Sequence, residues 1–131
     1  PVRELARQAK ASLDGAVAAA AEGKVLLLYP EGSRSRTGRL GSFLRGVHRY
    51  LALAEEVWVV PCAIVGTDAI MPIESTQSTQ IFPGQVSLAF GAPLRVGPDG
   101  PSRTVLEATF HSVAALLPQS LQPTAETPAL A

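Results

Sequence analysis

The chain has no asparagine, one cysteine and two histidines, and these shortages exclude several kinds of protein. Without asparagine there is no N-glycosylation acceptor. The lone Cys62 lies in an apolar run with no second thiol, so it supports neither a disulfide scaffold nor a Cys-based metal site. It reads as a small buried hydrophobe in a reducing, intracellular setting. Clusters of His, Cys and acidic residues are missing, which argues against a dedicated metal site. Net charge is missing too, because eleven basic residues balance eleven acidic ones. A balanced chain has no overall pull on nucleic acid, and its few aromatics do not interleave with arginines as a stacking platform requires. No apolar run approaches the length that spans a bilayer, and no signal-peptide pattern opens the chain. It begins at Pro1 rather than Met and enters a helical pattern at once, so a piece of a longer protein is expected.

What is present suffices for one domain with one modest core: 131 residues, 47% of them apolar. Residues 1–22 follow a helical period, with Arg3, Arg7, Lys10 and Asp14 on a polar stripe and Leu5, Ala9, Leu13 and Val17 toward the other side. Gly23 is a stop just past the last turn. The continuous apolar run Val25 to Tyr29, bounded by Gly23 and Pro30, predicts a strand buried on both faces. A Gly-, Ser- and Arg-rich loop follows to Ser42, and helical spacing returns from Phe43 to about Ala54, with Phe43, Val47, Tyr50 and Leu51 on one side. Val57 to Val65 predicts a second strand, interrupted where Pro61 removes a ladder donor. Residues 67–83 lack periodicity and predict an irregular excursion. Alternation through Val86, Leu88 and Phe90 predicts a third strand. Thr104 and Glu107 resemble a capping box for a last helix that places Leu106, Phe110, Val113 and Leu117 on one face and ends at Pro118. Residues 119–131 lack periodicity and large aromatics, which predicts a disordered tail after a domain of residues 1–118. Helix-linked apolar strands give the fold class as α/β, a partly parallel sheet flanked by helices. A sheet of this kind that lacks strands leaves an apolar edge, so self-association is expected of it.

Chemistry concentrates directly after the first predicted strand. In α/β sheets ligands gather outside the carboxyl ends of strands, and here stand Tyr29, Pro30, Glu31, Gly32, Ser33, Arg34 and Ser35. A glycine lets backbone approach a ligand closely, and arginine offers a planar fork of donors suited to phosphate. Arg34, Arg36, Arg39, Arg45 and Arg49 meet no acidic residue between Gly32 and Ala54, so this segment is a local positive field. Spacing alone leaves two readings open, a phosphate site and a solvated arginine-rich loop. A P-loop is excluded because no Gly-Lys-Ser/Thr follows, and no Gly-x-Ser-x-Gly nucleophile elbow is present.

Leu28 to Ser35 resembles the phosphate-acceptor motif of the glycerol-phosphate and 1-acylglycerol-3-phosphate (lysophosphatidate) acyltransferases, usually Phe-Pro-Glu-Gly-Thr-Arg; Tyr29 and Ser33 are mild departures. Gly41 to Gly46 is similar to the family's Phe-Lys-x-Gly segment, and Val59 to Ile64 to its Val-Pro-Val-x-Ile block. Gly66-Thr67-Asp68 and Met71-Pro72 also fit bacterial members. The resemblance runs over roughly residues 1–118. It implies an incomplete version of the glycerolipid acyltransferase fold and transfer of a fatty acyl group from acyl-CoA or acyl carrier protein to a hydroxyl of glycerol 3-phosphate or lysophosphatidate, with no further cofactor. Carried over, Arg34 contacts the acceptor phosphate, Glu31 fixes the loop or touches the acceptor, Gly32 permits close approach, and Ser33 stands for the Thr hydroxyl. Arg36, Arg45 and Gly46 are secondary candidates, although Gly46 has an equal claim as a close-packing position in a helix. The family's chemistry begins with His-x-x-x-x-Asp, in which the His is general base. Five positions after His48 and His111 stand Leu53 and Leu116, so this chain carries no catalytic residue of that kind. The resemblance therefore implies the C-terminal part of an acyltransferase domain, inactive by itself, whose N-terminal half and membrane-contacting helices lie elsewhere, acting at the cytoplasmic face of a membrane. The alternative is a non-catalytic domain that binds a phosphoanion or anionic headgroups.

Overall fold

The computed structural model describes residues 2–53, 56–73 and 81–131. Helix α1 runs Val2–Ala21, and Gly23 ends it as its position predicts. Gly23 adopts a left-handed φ of 70°. Its N–H donates to the Ala20 carbonyl at 3.0 Å, and the Lys24 N–H donates to Ala19 at 3.0 Å. That pair of bonds satisfies carbonyls the helix would otherwise leave open. No residue of α1 is buried. Its alanine density and two ion pairs, Arg7 to Glu4 at 3.0 Å and Lys10 to Asp14 at 3.9 Å, act locally. Exposed pairs of that kind contribute at most about 1 kcal/mol each.

The next segment corrects a prediction. Residues 25–29 belong to no strand, and Val25 is 96% exposed. An apolar run becomes a buried strand only when ladders form beside it and layers cover it. Among the described residues neither is provided.

Among the described residues, four short strands form two antiparallel pairs. Strand β1 (Trp58–Val59) pairs with β4 (Leu94–Arg95), and β2 (Cys62–Val65) pairs with β3 (Ser87–Phe90). The fold is thus a mixture of helices and small antiparallel sheets. The partly parallel sheet that sequence predicts is in neither pair; an isolated parallel bridge joins Phe43 and Leu130. Pro61 interrupts the predicted second strand as expected, and it separates β1 from β2 so that each takes a different partner. Its ring is buried, and its carbonyl accepts from the Gly91 N–H at 2.9 Å. After β2, Gly66 at φ 102° passes so close to the Gln85 carbonyl that any Cβ would collide with it. One turn of helix, α3 (Thr67–Ile70), follows; the centre of the predicted irregular excursion lies outside the described residues.

Helix α4 (Ser102–Leu116) buries Val105, Leu106, Thr109, Phe110 and Val113. The predicted face is right, but the capping box is not, because the helix starts after Pro101, upstream of Thr104, and has no side-chain cap. The helix on Phe43 to Ala54 also shrinks. A 3-10 turn at Arg45–Val47 leads into α2 (His48–Leu51), and Phe43 stands before both in extended backbone; Ala54 lies outside the described residues. Phe43, Leu51, Ala63, Val105, Leu106, Phe110, Val113, Leu40 and Leu130 form the core. At its centre the rings of Phe43 and Phe110 meet edge to face, 5.2 Å apart.

Residues 119–131 are the largest departure from expectation. They form no disordered tail but a strap over the loop that precedes Phe43. Leu130 enters the core at 6% exposure. Phe43 and residues 129–131 exchange backbone bonds: the Phe43 N–H donates to Ala129 and the Ala131 N–H donates to Phe43, each at 2.9 Å. One buried leucine and a backbone ladder suffice to dock a short segment whose composition alone looks disordered.

Candidate phosphate-binding cleft

The loop from Pro30 to Leu44 closes on itself. A turn puts the Gly32 N–H on the Tyr29 carbonyl at 3.0 Å, and the Leu44 N–H reaches the Pro30 carbonyl at 2.8 Å. Gly32 needs to be glycine for two reasons: its φ is 72°, and a Cβ there would run into the Leu44 side chain. Inside the loop, the Ser35 hydroxyl donates to the Arg39 carbonyl at 2.7 Å, and the Arg39 N–H donates to Thr37 Oγ1 at 3.3 Å. Leu40 and Phe43, both buried, anchor its far end.

This folding opens a cleft of about 680 Å³ whose walls include Glu31, Ser33, Arg34, Arg36 and Arg39. The same cleft is lined by the hydroxyl residues Ser35, Thr37, Ser42, Thr124 and Thr127. Three arginines and several hydroxyl residues line one open space with a single acidic residue among them. That inventory suits an anion with several oxygens, such as a phosphate. Arg34 donates through Nη1 to the Met71 carbonyl at 3.3 Å, which ties the loop to the segment after α3. Arg39 donates through Nη1 to the Gln122 carbonyl at 3.0 Å.

Glu31 is half-buried, and its Oε2 accepts from the Gly41 N–H at 2.8 Å. Loss of water raises its carboxyl above the ordinary value of 4.5, and the Gly41 bond partly offsets the rise. In this fold Glu31 acts first as the clasp between the two ends of the arginine loop.

Of the residues singled out from sequence, Glu31, Ser33, Arg34 and Arg36 meet at the cleft. Gly32 shapes the turn behind it. Arg45 and Gly46 lie in the adjoining 3-10 turn rather than on the cleft walls, and a Cβ on Gly46 would meet nothing, so close packing does not explain that glycine either. His48 Nδ1 lies 3.4 Å from Ser102 Oγ, and the His111 ring stands edge-on to Phe110, their centroids 5.4 Å apart. Asp68 sits exposed on α3, and Cys62 is half-buried in β2. Sequence reasoning placed Arg39 in the positive segment but not among the contacts; its spacing from Arg36 was the available signal. Thr124 and Thr127 carried no local signal, because only tertiary folding brings them to the loop.

A family model described as Acyltransferase matches residues 2–65. A 1-acyl-sn-glycerol-3-phosphate acyltransferase of Chlamydomonas reinhardtii is 35% identical over 101 residues, covering 77% of this chain and 29% of that protein. Two chloroplastic 1-acyl-sn-glycerol-3-phosphate acyltransferases, from Arabidopsis thaliana and Brassica napus, are 44% and 43% identical over 54 residues, or 41% of this chain and 15% of each relative. The matched part of the chain thus spans less than a third of these relatives' length. No solved structure matches it.

Proposed function

We propose that this chain, whose residues 2–65 match the acyltransferase family, supplies the acceptor-phosphate site of an enzyme that acylates a glycerophosphate in phospholipid synthesis. The acceptor is glycerol 3-phosphate or lysophosphatidate, and the donor is a fatty acyl thioester of coenzyme A or carrier protein. In the transfer, the acceptor hydroxyl oxygen forms an ester bond with the acyl carbon and the thioester C–S bond breaks. The hydroxyl proton ends on the departing thiolate. No cofactor takes part beyond the thioester itself.

The work of this chain is binding and orientation. Arg34 and Arg36 hold the phosphate, Ser33 adds a hydroxyl donor, and Glu31 keeps the loop closed through Gly41; Gly32 sets the turn. Holding a charged end in place converts a collision into an oriented encounter, a large part of what such enzymes achieve. The site works at a membrane surface, because acylation turns the acceptor into a lipid; the cytoplasmic face is the side we propose. No helix among the described residues is long and apolar enough to cross a membrane.

The observation that carries this reading is the convergence of Arg34, Arg36 and Arg39 on the cleft that begins at the Glu31–Arg34 motif. Arg34→Ala tests it. Charge-assisted hydrogen bonds are worth about 1.5–3 kcal/mol, so affinity for glycerol 3-phosphate, read by calorimetry, should fall roughly 10- to 150-fold. Arg34 is exposed, so the melting temperature should barely move. Unchanged affinity would remove Arg34 from the site.

A second reading is favoured by the histidines. His48 faces Ser102 and His111 faces Phe110, so among the described residues neither is paired with a carboxylate in the manner of a general base. These 131 residues would then bind a phosphoanion or headgroup without catalysing transfer. Under either reading the chain alone transfers no acyl group, and measurable transfer from a palmitoyl thioester by the chain alone would refute both.

A further inference from the structure

The cleft has two walls, and only one of them is the arginine loop. The other comes from the strap, residues 119–131, of which Thr124 and Thr127 line the cleft with Arg34, Arg36 and Arg39. The strap is fastened on both sides of these threonines. Before them, the Leu40 N–H donates to the Leu121 carbonyl at 2.9 Å, and Arg39 reaches Gln122, 83 positions away in sequence, at 3.0 Å. After them, Leu130 is buried in the core, and the Arg45 N–H donates to the Ala131 carbonyl at 3.0 Å. Between the fastenings, a turn puts the Thr127 N–H on the Thr124 carbonyl at 3.0 Å, and the two hydroxyls stand 2.8 Å apart.

Two hydroxyls in contact use one hydrogen between them and keep the other for an outside acceptor. Thr124 and Thr127 line the same cleft as Arg34, Arg36 and Arg39, so the remaining hydrogen is available to an anion bound there. Resting on the acceptor-phosphate reading above, we infer that Thr124 and Thr127 are acceptor-binding residues, donating a hydroxyl hydrogen bond to the phosphate that the arginine loop holds. The strap thereby does two things in the site. It adds a hydroxyl donor to the cleft lining, and its Gln122 carbonyl holds Arg39 Nη1.

The experiment is titration of the full chain with glycerol 3-phosphate, comparing wild type, Arg34→Ala, the double variant Thr124→Val with Thr127→Val, and the double variant Thr124→Ser with Thr127→Ser. Losing a hydroxyl bond to a charged oxygen should weaken binding by about three- to tenfold in the valine variant. The serine variant keeps the hydroxyls and should bind like wild type, a rescue that a merely structural threonine pair would not give. If the valine variant fails to fold, the single change Thr124→Ala at an exposed position carries the same expectation. Wild-type affinity in the valine variant, beside a large loss in Arg34→Ala, overturns the inference and leaves the phosphate reading standing. No binding by wild type, or no effect of Arg34→Ala, overturns the phosphate reading itself, and the inference with it.

Discussion

Phe43 and Phe90 both stand in extended backbone, yet Phe43 is 1% exposed and Phe90 is 64% exposed. Phe43 lies where the arginine loop, the strap and α4 meet, and each of those elements contributes a layer over it. Phe90 lies on the outer face of the β2–β3 pair, where Ile64 and Leu88 are opposite each other in register and are exposed as well. The inner face of the same pair, with Ala63 buried, packs toward α4. The unpaired segment 25–29 belongs with the uncovered side, exposing Val25, Leu27 and Tyr29. Apolar character is similar in the two regions; what differs is whether another element covers it. The candidate cleft adjoins the covered side, where buried Leu40 and Phe43 anchor its loop in the core.

The sharpest way to break that contrast is Phe43→Ala. A buried phenylalanine cut to alanine typically costs about 3–5 kcal/mol, and here the cut also loosens the neighbour of Leu130 and Phe110. Chemical denaturation should show that loss, and phosphate binding should weaken along with it, because the loop and strap share this anchor. A cost below about 1 kcal/mol would mean that the covered side is not the stable one. Gly32→Ala should come next. A left-handed position costs an alanine about 1–2 kcal/mol, and Leu44 must shift to make room. That variant should lose stability in a melting experiment even though Gly32 lies outside the cleft walls.

Legibility in the sequence divides along the same line. The helical periods of α1 and α4, the glycine stop at Gly23, the break at Pro61 and the arginine loop were all readable, because each depends on residues close together in the chain. Residues 25–29 misled because a continuous apolar run reports a preference for burial and says nothing of whether partners exist. The strap misled in the opposite direction. Gln119 to Ala131 has no period to read, and its order depends on Leu130 meeting Phe43, a contact between residues far apart in the chain. The lining of the candidate cleft divides the same way: Glu31, Ser33 and Arg34 stand together in one motif with Arg36 close behind, while Thr124 and Thr127 come from a segment with no local signal.

The uncovered side yields a smaller effect on stability and a clearer one on association. Leu88→Lys and Phe90→Lys place charges where the side chains already face solvent, so each should change stability by no more than about 0.5 kcal/mol. Apolar strands without cover invite pairing with another copy, so the isolated chain should sediment as larger species with rising concentration. The double lysine variant should shift it toward monomer. A wild-type chain that stays monomeric across the whole range would mean that this face is tolerated bare.

The smallest expected effect tests the clasp on the covered side. Burial raises the Glu31 carboxyl above its ordinary 4.5, so the folded state holds this proton more tightly than the unfolded chain does. Stability then falls as pH rises from that ordinary value through the raised one, because the unfolded state gives up the proton more readily. Below the ordinary value both states are protonated and the difference vanishes. The Gly41 N–H bond favours the ionised form, but desolvation is the larger influence. Glu31→Gln keeps an oxygen for the Gly41 N–H and cannot ionise. Melting curves of the two proteins should therefore diverge as pH climbs out of the carboxylate range, with the glutamine variant gaining on wild type. Because an ionised Glu31 also faces the anion, glycerol 3-phosphate should bind the variant at least as tightly at neutral pH. If wild type instead gains on the variant over that window, Glu31 is stabilised as a carboxylate by the arginines, and its place is in the electrostatics of the site rather than in the closure of the loop.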